Sequence, residues 1–441
     1  MTALSEQPGE QTFLKPSAGP DLMGMAAALH ESLIGALDVE KLTAAEPAQA
    51  RKLIEDAALS LLATGAYPVY GDQRQRLLSL VADEVVGLGP IQGLVDDPAV
   101  SEIMVNGYDA VYCERDGLIH LTDIRFRNED HVRRVADRIL SAIGRRVDEG
   151  TPMVDARLAD GARVNITIPP ATPKHSTITV RKFRSDRYRM EDLVAAGTLD
   201  NRIAEFLGTC TTYKLNVLIS GGTGAGKTTF LNALSAYIPR NERIVTIEDP
   251  VELSLQQRHV ISMEARPPDM AGGHSIAQRD LLRNALRMRP DRIIVGEVRG
   301  AEAFEMLQAM NTGHEGSLST VHANSPRDAL SRIENMVLMA GVDLPVTAIR
   351  EQMASALHIV VQLQRFPDGV RRLVRVAEVT GMEGSIVTMQ DIFVFRQEGV
   401  GENGQVLGRF LPTGIRPTFS EGLSLQGADL DASTFFEGVR R

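Results

Sequence analysis

The stretch "NVLISGGTGAGKTTF", residues 216–230, decides how this chain is read. Asn216 to Ser220 is apolar enough for a buried strand. Gly221 to Thr228 satisfies the pattern G-x-x-x-x-G-K-[ST], and a helix is expected from Lys227. Each position has a chemical reason. Gly221, Gly224 and Gly226 let the backbone turn tightly and aim its N–H groups inward, where they and the helix N-terminus hold a β-phosphate. Gly222, Thr223 and Ala225 complete the loop, and Thr229 follows it into the helix. Lys227 is placed to reach β- and γ-phosphate oxygens, and the Thr228 hydroxyl to hold Mg2+. The cofactors expected are therefore ATP and magnesium.

In a parallel α/β sheet, ligands sit at the carboxyl ends of the strands. The next question is what stands at the end of each later strand. "RIVTIEDPVEL" reads as a strand from Ile244 to Ile247 followed by Glu248 and Asp249, with Glu252 close behind. An acid there can orient an attacking water; the plainer alternative is an exposed acidic turn. "DRIIVGEVRG" reads as a strand ending at Gly296, with Glu297 just beyond. Most P-loop enzymes place a metal-holding aspartate here, and glycine has no side chain for that work. The longer Glu297 would reach magnesium in its place, or simply pair with Arg299. "GSLSTVHANSP" reads as a strand from Leu318 to Val321 ending in His322, an imidazole suited to a γ-phosphate or to a structural hydrogen bond. His314, eight residues earlier, makes no standard zinc spacing with it.

Alternation of short apolar strands with helical stretches after residue 200 signals a parallel α/β sheet. Before it, residues 1–20 read as a disordered tail and 21–94 as a helical segment broken at "GLGP". From 95 to 185 the period shifts towards two, giving a small α/β domain. Its hairpins are centred on Asp116-Gly117 and Asp160-Gly161. In "STITVRKF", Ile178 and Val180 share one face, and Thr177, Thr179 and Arg181 the other. A charged stretch, "RKFRSDRYRMEDL", leads into a linker over 186–200. The remainder, 201–441, carries the P-loop and a C-terminal hairpin turning at Pro367-Asp368-Gly369.

The chain has 441 residues, 57 acidic against 47 basic, and two cysteines. A general nucleic-acid binder usually shows a basic excess, so no nucleic-acid partner is expected. Cys113 and Cys210 are too few for a zinc ribbon and fit a reducing cytoplasm. No signal peptide is expected from "MTALSEQPGE", and no apolar run approaches the roughly 20 residues that span a bilayer.

"TIEDP", "GEVRG" and "TGHEGSLSTVHANS", following a Walker A loop, resemble the Asp box, atypical Walker B and His box of the type II/type IV secretion ATPase superfamily. "VSEIMVNG", "PMVDARLADGARVN", "NALRMRPDRIIVGEVRG" and "MLQAMNTGHEGS" resemble its CpaF/TadA group, the ATPases of tight-adherence (Flp/Tad) pili. The resemblance covers roughly residues 80 to 395. It implies a homo-hexamer with an N-terminal α/β domain and a RecA-like P-loop NTPase domain, peripheral at the inner membrane through a platform protein of the pilus machine. It also implies roles: Lys227 and Thr228 in Walker A, Glu248 and Glu252 as Asp-box acids, Glu297 as the Walker B acid, His322 as the His-box residue. Arginines of the N-terminal domain would reach the γ-phosphate, with Arg163 and Arg181 the candidates; Arg157, Lys182 and Arg184 lie in the same stretches. The four-cysteine module usual in the type II secretion branch is absent. Alternatives are a conjugation-type secretion ATPase, a nucleic-acid translocase, and a non-hydrolysing ATP switch.

Overall fold

A computed structural model describes residues 22–34, 46–63, 69–115, 117–158, 160–182, 188–266 and 275–436. The expected tail, Asp116, Arg184 and residues 183–187 of the charged stretch lie outside the described residues. The chain divides into two compact units, residues 1–183 and 184–441.

In the first unit, helices α1 (Leu22–Ile34), α2 (Pro47–Leu62) and α3 (Gly71–Val85) pack through Leu29, Leu33, Ile54, Leu77 and Val81. The helical run ends at Gly87 and Gly89; the latter has φ +58°, a backbone region that favours glycine. The short helix α4 (Gln92–Asp96) leads into an antiparallel sheet of order β3-β2-β1-β6-β5-β4. Its strands are β1 (Val100–Asn106), β2 (Val111–Arg115), β3 (Leu118–Leu121), β4 (Met153–Arg157), β5 (Arg163–Thr167) and β6 (Thr177–Arg181). Helix α5 (Glu129–Ser141), capped by the Asn128 side chain, contributes Val132, Val135 and Ile139 to the same core as Ile103, Val164, Ile178 and Val180. Period-two alternation leaves the other face polar, so Arg157, Arg163 and Arg181 stand directly opposite one another on three adjacent strands.

The second unit opens with α6 (Met190–Ala195) and α7 (Asn201–Thr212). Its nine-stranded sheet has the order β15-β14-β13-β12-β7-β11-β10-β8-β9. The strands are β7 (Val217–Gly221), β8 (Ile244–Glu248), β9 (Val260–Glu264), β10 (Arg292–Val298), β11 (Leu318–Val321), β12 (Ile359–Arg365), β13 (Arg371–Glu383), β14 (Ile386–Val400) and β15 (Val406–Pro412). Strands β12, β7, β11, β10, β8 and β9 run parallel. Helix α8 (Lys227–Ser235) follows β7, α9 (Gln278–Ala285) precedes β10, and α10 (Glu302–Asn311), α11 (Pro326–Met339) and α12 (Val346–Ala356) come later. Two apolar clusters form around the sheet, one including Phe206, Phe230 and Ile294, the other Val245, Val295 and Met306. Strands covered on both faces are buried at every position, as β7, β8 and β11 are. Counted without β9, chain order across the parallel strands runs fifth, first, fourth, third, second, the order of a RecA-like core.

Two elements differ from the sequence reading. Strand β9 extends the sheet beyond β8, and the C-terminal region is a four-strand antiparallel meander where a single hairpin was expected. Both are edge features whose half-exposed residues carry a weak apolar signal. At the amino ends of the strands, Arg292 is fully buried. Its guanidinium donates to the Glu242 carboxylate and to the carbonyls of Thr211, Thr212 and Gly316.

Candidate active site

Because β7, β8, β10 and β11 are parallel neighbours, their carboxyl ends share one rim. The phosphate loop begins where β7 stops. Gly224 (φ +70°) and Gly226 (φ +89°) occupy backbone conformations that L-residues avoid. A β-carbon on Gly221 would lie 2.7 Å from the Leu363 carbonyl oxygen, so the loop packs against β12 only because that position is glycine. Helix α8 starts at Lys227 and buries Phe230, Leu231 and Leu234, which aims its N-terminus at the rim. Ala225 is buried beneath the loop, and Gly222 is open above it.

Lys227 Nζ donates to the carbonyls of Gly221 and Gly222 at 3.0 and 3.2 Å and lies 3.3 Å from Nδ1 of His322. That same Nδ1 is 3.0 Å from Glu297 Oε1, and Nε2 is 2.9 Å from the Thr223 hydroxyl. The imidazole therefore stands between an ammonium and a carboxylate. Neutral, with its proton on Nε2, it accepts from Lys227; as imidazolium it donates to Glu297. Glu297 Oε2 accepts Nε and Nη2 of Arg299 at 3.0 and 2.7 Å. Burial pushes the Glu297 carboxyl up, but hydrogen bonds from His322 and Arg299 and the charges of Arg299 and Lys227 outweigh it, so it lies below the usual range.

The strand reading at Glu297 is corrected: β10 does not end at Gly296 but runs to Val298. Val295 and Val298 pair with Ser319 and Val321, so β10 carries one extra residue, and this bulge re-aims Glu297. The Thr320 hydroxyl holds the bulge by donating to the Gly296 carbonyl at 2.6 Å. A β-carbon on Gly296 would lie 2.9 Å from Glu248 Cγ. The position where an aspartate was sought is thus filled by a side chain from the neighbouring strand.

Glu248 is 2% exposed. Its Oε2 accepts the backbone N–H groups of Glu252 and Leu253 at 2.6 and 2.7 Å, and its Oε1 accepts the Thr246 hydroxyl at 3.1 Å. Burial raises its pKa more than these bonds lower it. The turn fixed in this way brings Glu252 Oε2 to 3.5 Å from the Thr228 hydroxyl. Arg163 and Arg181 belong to the first unit, whereas the cluster around Lys227 is built wholly from the second.

Several contributing residues carried no sequence signal. Ser220 and Gln362 both donate to the Ala323 carbonyl, at 3.5 and 3.2 Å, and so hold the chain just past His322. Arg371 Nε donates to the Gly224 carbonyl at 2.9 Å. Strand pairing brings these partners together across 39 to 147 positions of sequence, and no local pattern marks them.

The family profile for type II/IV secretion system proteins matches residues 84–409. This chain belongs to the type II/IV secretion system protein family. It is 36% identical over 315 residues to a putative conjugal transfer protein of Mycobacterium tuberculosis, covering 70% of this chain and 89% of that one. It is 32% identical over 324 residues to the type IV secretion system protein VirB11 of Bartonella quintana, covering 65% and 90%. Against the crystal structure of the VirB11 ATPase from the Brucella suis type IV secretion system, in complex with sulphate, identity is 27%, coverage 65% and 94%, and the TM-score 0.36. The family match takes in both the sheet of the first unit and the P-loop cluster of the second.

The side chains of this secretion-family site fit a magnesium nucleotide. Mg2+ favours one or two carboxylates together with phosphate oxygens and water over an all-protein cage. Among the described residues no group of three or more His, Cys, Asp or Glu could hold a metal ion. Thr228 with Glu252, and Glu297, offer the hydroxyl and carboxylates that the shared arrangement needs. Among the described residues, no helix is long and apolar enough to cross a membrane.

Proposed function

We propose that this chain is the ATP-hydrolysing motor of a bacterial tight-adherence pilus assembly or secretion machine. It would work as a cytoplasmic homo-hexamer, peripheral at the inner membrane through a platform protein. The observation that supports this best is the continuous hydrogen-bonded path from Thr223 through His322 to Glu297 and Arg299, with Lys227 against the same imidazole. It ties the phosphate loop to the ends of two other strands.

In this reading Lys227 exchanges the Gly221 and Gly222 carbonyls for β- and γ-phosphate oxygens. Thr228 and Glu297 would hold magnesium, which would supply positive charge to the phosphates. Glu248 keeps Oε2 on the turn and uses Oε1, which accepts one hydroxyl, to orient water; its raised pKa makes it a stronger base. His322, released from Lys227, reports the γ-phosphate to Glu297. By the family resemblance alone, Arg163 and Arg181 are the candidates for arginines that would add charge at a γ-phosphate, a contribution of about 10³–10⁵ in rate in comparable sites. Phosphate release at Mg2+ saturation tests the reading. Lys227→Ala is expected to lower turnover by at least about 100-fold, and an unchanged rate overturns it.

A conjugation-type secretion ATPase is the second reading, favoured by relatives whose names carry conjugal transfer and type IV secretion. A deletion strain scored for surface fibres and for plasmid transfer separates the two. Stimulation of the ATPase by single-stranded DNA, lost at high salt, would point instead to a nucleic-acid translocase.

A further inference from the structure

The hairpin between β12 and β13 leans on the phosphate loop. Its turn is firmly built: Asp368 accepts both Nη atoms of Arg372 at 3.1 and 2.9 Å and the N–H groups of Val370 and Val406. The Arg372 guanidinium also stacks over Phe366 and Phe395. Arg372 is therefore neutralised on one face of the hairpin. Strand alternation puts Arg371 on the other face, directly opposite Arg365. Both approach the loop. Besides the bond from Arg371 Nε to the Gly224 carbonyl, a β-carbon on Gly226 would lie 3.0 Å from Arg371 Cδ, and one on Gly224 would lie 3.4 Å from Arg365 Nη1. Two like charges facing each other across a strand pair repel. Among the described residues Arg365 has no ion-pair partner. An anion in the loop would pair with the Arg365 guanidinium beside Gly224, a group that matches phosphate oxygens in geometry as well as charge.

We propose that Arg365 is a phosphate-contacting residue supplied by the same chain as the loop, and that Arg371 is its positioning partner, holding the Gly224 to Gly226 backbone. The ligand class is a nucleoside di- or triphosphate, gripped on its phosphates and not on its base. The site would thus have a cationic element within the P-loop unit, separate from the first unit's arginines. This inference rests on the P-loop being a nucleotide site.

The test is calorimetric titration of the full chain with ADP, with adenosine measured by displacement of labelled ADP. Arg365→Gln is expected to weaken ADP by about 10-fold or more while leaving adenosine unchanged, and Arg365→Lys to restore part of the loss. Arg371→Gln is expected to weaken ADP too. A matching thermal midpoint for Arg365→Gln confirms that its fold is intact. If wild type binds no ADP, the nucleotide reading fails and takes this inference with it. If Lys227→Ala loses ADP but Arg365→Gln binds it as wild type does, or loses ADP and adenosine alike, only the arginine clamp is overturned.

Discussion

Gly296 is glycine because Glu248 needs its space. The side chain that fixes the turn carrying Glu252 passes within contact distance of the Gly296 backbone, and any β-carbon there would collide with it. Gly296→Ala is therefore expected to push Glu248 off the Glu252 and Leu253 amides. The cost expected is about 1–3 kcal/mol, typical of overpacking, with a fall in ATP turnover of at least about 10-fold. Urea denaturation and phosphate release would measure the two effects; a variant matching wild type in both would remove this account of the glycine. At this scale the placement of Lys227 and Thr228 after the phosphate loop and of His322 after β11 was legible, while Glu297 lies inside β10 and owes its direction to the bulge. The direction of Glu248 was not legible. It depends on Thr246 beside it and on two backbone amides beyond a proline, and nothing in "TIEDPVEL" says whether the carboxylate faces solvent or the turn.

At the scale of elements, the β12–β13 hairpin and the β10 bulge decide the site's shape. The hairpin's anchor is Asp368. Hydrogen bonds from Arg372, ahead of the opposing effect of burial and the help of the Val406 and Val370 amides, hold its carboxyl at about 2, below the ordinary 3.8. An acid depressed in the folded state stabilises fully above its unfolded pKa, and that contribution disappears as the pH falls through the folded value. Asp368→Asn should thus be less stable than wild type at neutral pH, by about 1–3 kcal/mol. The gap should narrow as the pH falls below 3.8 towards about 2. Urea denaturation across that range checks it, and a gap independent of pH would show that the charge plays no part. The turn at Pro367-Asp368-Gly369 was readable from its residues. Which loop the hairpin leans on was not, since that follows from β12 pairing with β7.

For the whole molecule, the motor proposal requires a ring in which copies of this chain work together. Light scattering of the purified chain, with and without nucleotide, is expected to show a hexamer that nucleotide stabilises. A monomer under every condition, with no turnover, would defeat the motor proposal. The parallel sheet of the second unit was visible in the alternation of apolar strands and helices, because strands buried on both faces need continuous apolar runs. The outer strands β9, β14 and β15 were not, because half-exposed strands mix polar and apolar residues.

Sequence alone determined the phosphate loop, the α/β alternation and the polar residues at the strand ends, since each is written in spacings of a few residues that the backbone must obey. Only the tertiary structure decided which side chains meet there. Glu248 beneath Gly296, Gln362 on the Ala323 carbonyl and Arg371 on the Gly224 carbonyl are long-range contacts set by strand order and register. No local propensity encodes a neighbour that the sheet brings in from across the chain.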